Sequence, residues 1–149
     1  MPFDPDSDVR DDYALLSTAA RLVQRRLDEA LAPLGLTRAA VIALQAVSPR
    51  PLNQEQLAAM VHVQSQTMGR VMTRLEAEGL VTRTRDPNDR RQFQVAITDA
   101  GEAALKAASA AENAAVPTEF DGWEILREQL SRFVESFPEP GRARGSTRR

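Results

Sequence analysis

The fold is decided by residues 65–101, which read SQTMGRVMTRLEAEGLVTRTRDPNDRRQFQVAITDAG. The first part of this stretch has apolar residues at three- and four-residue steps, which predicts a helix over about 66–78. The apolar residues of that helix are Met68, Val71, Met72 and Leu75. Ser65 is placed to cap its start, and Gly79 suits the left-handed conformation that often follows a helix end.

After Gly79 the period of the pattern changes from helical to two. Residues 80–85 alternate between apolar and polar side chains, and residues 92–97 do the same. The turn-forming cluster Asp86-Pro87-Asn88-Asp89 lies between these two runs. The stretch therefore predicts a two-stranded hairpin with a basic tip, directly behind the helix.

The segment just before this stretch predicts a short helix. Asn53 is placed to cap it, and Gln56 occupies the position from which a side chain reaches back in a capping box. A tight turn around residues 62–64 then leads to the helix at 66–78. The two helices form a helix-turn-helix unit, and the hairpin that follows has the position of a wing.

Four further helices are predicted around this unit, over about 10–33, 38–47, 99–114 and 119–136. The last one carries more apolar surface than a small wing domain can bury. Its aromatic residues, together with one beyond its end, are Phe120, Trp123, Phe133 and Phe137. We predict that the terminal helices form a homodimer, because twofold association is the commonest oligomeric form. Packing inside one chain is the alternative.

The predicted helix at 66–78 can read DNA with its polar face. Gln66 can bind an adenine edge, Arg70 a guanine edge, and Thr67 a base or a phosphate. Arg74 lies one turn further along and is better placed for a phosphate. A helix face that is merely solvated is the alternative interpretation.

The predicted hairpin concentrates positive charge, in Arg83, Arg85, Arg90 and Arg91. Arginine on a projecting loop suits a narrow minor groove, where the negative potential is enhanced. Asp89 is two residues before Arg91 and can hold its guanidinium in place. An ordinary charged turn is the alternative.

The sequence resembles the MarR family of bacterial winged helix-turn-helix regulators over roughly residues 10–137. Three runs carry the resemblance: LEAEGLVTR (75–83), DPNDRR (86–91) and VAITDAG (95–101). The resemblance implies a homodimer whose winged lobes each read half of a pseudo-palindrome. It also implies that Arg91 enters the minor groove, that Asp89 orients Arg91, and that the start of the helix at 66–78 meets the major groove.

The fold class expected is mainly α with a small β-hairpin wing, in a winged helix-turn-helix domain with terminal dimerisation helices. Within one domain at 10–137, segments 10–35 and 99–137 are the expected dimerisation helices and 36–98 the winged lobe. Residues 1–9 and the basic tail at 138–149 are expected to be disordered.

Composition limits the chemistry. The 149 residues include no cysteine and one histidine, and their formal net charge is −2. Disulfides, thiolate metal sites and thiol redox switches are therefore excluded, and no metal or cofactor is expected. An enzyme is not expected either, because the lone His62 has no cysteine partner. The lack of an apolar run of membrane-spanning length and of a signal sequence predicts a cytoplasmic protein with no membrane partner.

The function predicted is sequence-specific transcriptional regulation. The protein is expected to bind double-stranded DNA through Ser65, Gln66, Thr67, Arg70, Arg74, Arg83, Asp89, Arg90 and Arg91. It is expected to act as a repressor that a small aromatic or phenolic effector releases from a pseudo-palindromic operator, with Arg21, Leu22 and Leu44 as candidate ligand contacts. The alternative is a winged-helix adaptor that binds protein and not DNA.

Overall fold

The computed structural model describes residues 9–61 and 65–138. Its chain divides into two compact units, Met1–Val116 and Pro117–Arg149, and each is described by itself. The predictions for residues 1–8, for the turn at 62–64 that holds His62, and for the tail at 139–149 lie outside the described residues. Val9 is the first residue of a helix, so the predicted disorder does not extend to it.

The first unit is a winged helix-turn-helix lobe with a long helix on either side of it in sequence, and it confirms the predicted fold class. Its elements, in chain order, are α1 (Val9–Leu31), a 3-10 helix (Ala32–Leu34), α2 (Arg38–Val47), β1 (Leu52–Asn53), α3 (Gln54–Met60), α4 (Ser65–Ala77), β2 (Val81–Arg85), β3 (Phe93–Ile97) and α5 (Asp99–Ala115). Helices α3 and α4 are the helix-turn-helix unit, and β2 and β3 are the wing.

The helix boundaries follow from local hydrogen bonding. The Asn53 side chain accepts from the backbone of Gln56 at 2.8 Å, and the Gln56 side chain accepts from the backbone of Asn53 at 3.0 Å. This is the predicted capping box of α3. At the end of α4, Gly79 has φ +73°, and the amide of Leu80 reaches back to Leu75 O at 2.9 Å. These are the features of a Schellman motif.

Within the described residues, the sheet has three strands and not two. Strand β3 lies in the middle and pairs antiparallel with β2 on one side and β1 on the other. In β1, Leu52 is the partner of Val95 and Asn53 the partner of Gln94. A strand of two residues is too short to show an alternating pattern, so no pattern in the sequence predicts it.

The core of the lobe lies between its helices and the sheet. Helices α2, α3 and α4 contribute Leu44, Leu57, Met72 and Leu75, and the strands contribute Leu52, Val81 and Val95. A second buried cluster joins the end of α1 to α2 and α5. It contains Leu31, Leu36, Val41 and Ala108.

The second unit contains one helix, α6 (Trp123–Glu135), within the described residues 117–138. It begins four residues after the predicted start at 119, since Gly122 occupies its N-cap. The preceding segment folds back locally: Phe120 packs edge to face on Trp123 at 5.2 Å, and the Trp123 indole donates to Pro117 O at 3.4 Å. These contacts replace the first turn that the sequence pattern predicted.

In the described ranges, no single helix is both long and apolar enough to cross a membrane. Segments Val9–Leu34 and Arg38–Val47 pass that test only as a pair, with an 80° bend between them. The second of these segments contains α2, whose apolar side chains form much of the lobe core.

Candidate nucleic-acid interface

Helix α4 has one buried apolar face and one exposed polar face. Met68, Met72 and Leu75 are buried in the lobe core. Gln66, Thr67 and Arg70 are all exposed, as the sequence pattern predicts. This arrangement leaves the hydrogen-bonding groups at the start of α4 free to meet a base edge.

Two other predicted contacts on α4 are also located. Arg74 is exposed, and its Nε lies 3.0 Å from Oε1 of Glu78, the residue just after α4. Ser65 is the first residue of α4, but its side chain, and with it the predicted N-cap, is outside the described structure. An exposed ion pair of this kind contributes little to stability, so Arg74 can exchange Glu78 for another anion.

The glycine inside α4 lies next to a side chain of α3. A Cβ built on Gly69 would lie 3.0 Å from Nε2 of Gln54, the first residue of α3. That atom is the far end of a flexible side chain, so a methyl group added at position 69 would require only a small shift of the Gln54 side chain.

The wing tip is a hydrogen-bonded turn that exposes two arginines. The Asp86 carboxylate accepts from the amide of Asn88 at 2.9 Å, and the Asp89 carboxylate accepts from the amide of Arg91 at 3.0 Å. The turn is closed by the amide of Asp86, which donates to Gln92 O at 2.9 Å. Arg90 and Arg91 are exposed on this tip.

Asp89 thus acts on Arg91 through the backbone. Its carboxylate fixes where the main chain of Arg91 lies, because it receives the N–H group of that residue. The predicted contact between Asp89 and the guanidinium of Arg91 stays a prediction. Fixing the backbone still limits the directions in which the long arginine side chain can extend.

The two arginines of strand β2 differ from those of the tip. Arg83 contacts Glu76 of α4, with 3.3 Å between Nε and Oε2. Arg85 donates from Nη1 to Arg90 O at 2.6 Å. Both guanidinium groups also lie over the ring of Phe93. The sequence pattern includes Arg85 in the basic hairpin but not among the expected DNA contacts, and it does not single out Phe93, because the role of both residues depends on the register of the hairpin.

The residues predicted to contact an effector do not share one open surface. Leu44 is 0% exposed and belongs to the lobe core, so it is not open to a ligand in this conformation. Leu22 is 60% exposed on α1. Arg21 is also exposed there, and its Nη2 donates to the hydroxyl of Thr18 at 3.2 Å. Only the α1 part of the predicted site is accessible.

Comparison with known proteins agrees with this geometry. Residues 34–92, which include the helix-turn-helix and most of the wing, match a family model described as MarR family. Among solved structures, the chain is similar to a MarR-family transcriptional regulator from Rhodococcus sp. RHA1, with 28% identity and a TM-score of 0.75. That match covers 88% of this chain and 94% of the other.

Two further structures have the same fold over most of their length. CouR from Rhodococcus jostii RHA1, solved with p-coumaroyl-CoA bound, has 29% identity and a TM-score of 0.75, and 88% of this chain covers 94% of it. The transcriptional regulator BldR from Sulfolobus solfataricus has 26% identity and a TM-score of 0.77, and 88% of this chain covers 99% of it. The wing motif, the family model and these structures agree: residues 34–92 match the MarR family, and the chain has the fold of MarR-family transcriptional regulators.

Proposed function

We propose that this protein is a homodimeric regulator that binds a pseudo-palindromic DNA site, with α4 of each chain in the major groove. The observation that carries the proposal is the two-sided character of α4. Met68, Met72 and Leu75 on its apolar side are buried in the core, whereas Gln66, Thr67 and Arg70 are exposed on the other side. Amide and guanidinium groups match the edges of adenine and guanine.

The wing supplies the second contact of the proposal. Arg90 and Arg91 are exposed on a turn whose backbone is held by the carboxylates of Asp86 and Asp89. Arg91 enters the minor groove next to the major groove read by α4, where arginine is favoured electrostatically. Arg74 exchanges its partner Glu78 for a phosphate, which sets the register and carries no sequence information.

Dimerisation is supported by apolar surface on the helices near both ends of the chain. On α1, Leu15 is 70% exposed and Leu22 60%. On α6, Ile125 is 69% exposed and Val134 68%. Large apolar side chains that are exposed to water in a single chain mark a surface that associates with another chain. A twofold dimer places two copies of α4 so that they read the two halves of a symmetric site.

We further propose that the protein is a repressor that an aromatic acid, or an activated ester of one, releases from DNA. CouR, a structural neighbour, was solved with p-coumaroyl-CoA, the thioester of a phenolic acid. A ligand of this class acts by binding one spacing of the two winged lobes better than another. A tenfold loss of DNA affinity needs only about 1.4 kcal/mol of coupling.

The DNA-binding proposal is tested with duplexes selected from a random pool by the wild-type protein. Arg91→Ala should weaken binding strongly while the protein stays folded. Arg70→Ala should cost about 1–3 kcal/mol, mostly at one base position. The control is Lys106→Ala on α5, which removes the same charge outside the proposed DNA surface and should change affinity little.

The adaptor alternative makes the opposite prediction. An adaptor would enrich no DNA sequence from the pool and would show no steep fall of affinity with salt, the signature of counterion release. If Arg91→Ala binds the selected DNA as tightly as wild type does, the assignment of the wing is wrong.

A further inference from the structure

The guanidinium group of Arg83 is held by contacts with other side chains of the same chain. Its Nε lies 3.3 Å from the Glu76 carboxylate, and its Nη1 donates to the hydroxyl of Thr73 at 3.4 Å. Only 23% of its side chain is exposed. Both partners are on α4, whereas Arg83 is on β2, so these contacts join the wing to the recognition helix.

The same contacts continue along the wing to its tip. The guanidinium carbons of Arg83 and Arg85 lie 5.1 and 5.0 Å from the centre of the Phe93 ring, within cation–π distance. Arg85 then donates to the carbonyl of Arg90. At the other end, the Thr73 hydroxyl donates to Gly69 O at 2.9 Å. A chain of contacts therefore runs from the middle of α4 to the backbone of the wing tip.

We propose that Arg83 is a positioning residue of the DNA-binding surface and not a DNA contact. Together with Glu76 it fixes the base of the wing against α4, and through Phe93 and Arg85 it fixes the tip that presents Arg91. A wing that is ordered before binding loses less conformational freedom when it meets DNA. The inference rests on the proposed function, and it replaces the sequence-based prediction that Arg83 contacts DNA.

The sharpest test is Glu76→Gln. Removing a negative charge from α4 should strengthen binding to DNA if the charge matters only through its field. The positioning role predicts the opposite, a loss of affinity of roughly tenfold, because Arg83 loses its partner. The matched control is Glu78→Gln, which removes a charge from the residue just after α4 and should leave affinity unchanged or higher.

Two substitutions of Arg83 complete the test. Arg83→Lys keeps the positive charge but cannot keep the paired donors and the stacking on Phe93, so it should bind roughly tenfold more weakly. A phosphate contact would survive that change. Arg83→Gln combined with Glu76→Gln should bind no more weakly than either single variant, since both disrupt one interaction.

Salt dependence and hydrogen exchange separate the possible failures. Loss of a phosphate contact lowers the magnitude of the slope of log K against log salt by about 0.9, and we expect that change for Arg74→Gln but not for Arg83→Gln. In the absence of DNA, Arg83→Gln should speed exchange of the Arg91 and Gln92 amides at an unchanged melting temperature.

Wild-type affinity for Glu76→Gln and Arg83→Lys, with slow exchange at the tip, would overturn the inference. Absence of wild-type DNA binding would instead overturn the proposed function, while the exchange result would still decide whether Arg83 fixes the wing.

Discussion

Gly101 lies where α5 packs against Leu80, the residue just before the first strand of the wing. There is no room for a side chain at this position. A Cβ built on Gly101 would overlap Leu80 O and would lie 2.7 Å from Cγ1 of Ile97. The same carbonyl accepts from the amide of Thr98 at 3.1 Å, and the Thr98 hydroxyl donates to Gly79 O at 2.7 Å. Gly101→Ala therefore pushes on a backbone junction that is already hydrogen-bonded.

The size of the effect comes from two opposing terms. Alanine is favoured over glycine in a helix by about 1 kcal/mol. Overpacking costs about 1–3 kcal/mol, and a clash with backbone belongs at the upper end because a carbonyl cannot rotate away as a side chain can. The net loss of unfolding free energy is then about 2 kcal/mol, which for a chain of this length lowers the melting temperature by about 4–8 °C.

Gly69→Ala is the matched control, since Gly69 is also a helical glycine. There the added Cβ would meet Nε2 of Gln54 at 3.0 Å, the far end of a flexible side chain. We expect its unfolding free energy to stay within about 1 kcal/mol of wild type. The assay is urea denaturation of the three proteins at one fixed concentration, because the stability of a dimer depends on concentration.

A Gly101→Ala protein as stable as Gly69→Ala would refute this reasoning. It would mean that α5 can move away from Leu80 at no cost, and that Gly101 is not needed for close approach. A change in the denaturant slope without a change in midpoint would point to the unfolded state instead.

The remaining predictions concern the caps, the dimer and the effector. Asn53→Ala should lower the unfolding free energy by about 1 kcal/mol, since it removes one side of the α3 capping box, and chemical denaturation measures this. Gly35→Ala should cost about 1–2 kcal/mol through its φ of +67° alone, because no atom lies within 4 Å of the added Cβ; wild-type stability would contradict this. Val134→Asp should shift sedimentation towards the monomer and Glu135→Ala should not, whereas a stable wild-type monomer that binds DNA well would refute the dimer. An aromatic acid or its CoA thioester should raise the melting temperature and release DNA at millimolar concentration or below; if none does and peroxide or zinc does, that class of effector is wrong.

The elements whose cause is local could be predicted from the sequence. The capping box of α3 needs only Asn53 and Gln56 three residues apart, and both of its hydrogen bonds are present. The end of α4 needs only a glycine after an amphipathic run, and Gly79 has the expected positive φ. The residues that form these caps lie within about one helical turn of each other, so they can be recognised without knowledge of tertiary packing.

The elements that depend on distant partners could not be predicted in the same way. Strand β1 exists because Leu52 pairs with Val95, forty-three positions away in sequence. Leu44 is a candidate ligand contact in the sequence because it lies on α2, near the predicted hinge. In the structure, α2 packs the Leu44 side chain into the lobe core. A helical pattern shows which residues share a face, and it does not show what covers that face.

The arginines of the wing show how hairpin register determines which side chains meet. Their sequence pattern makes four basic residues on one hairpin look equivalent. The register pairs Arg85 with Phe93 and Arg83 with Val95. It thereby places both strand arginines over one aromatic ring, and it leaves Arg90 and Arg91 in the turn. A shift of one residue would move every strand side chain to the opposite face. The proposed division of the wing into positioning arginines and DNA-binding arginines therefore depends on the pairing of β2 with β3, and a substitution that altered this register would separate Arg83 and Arg85 from Phe93 without removing any positive charge.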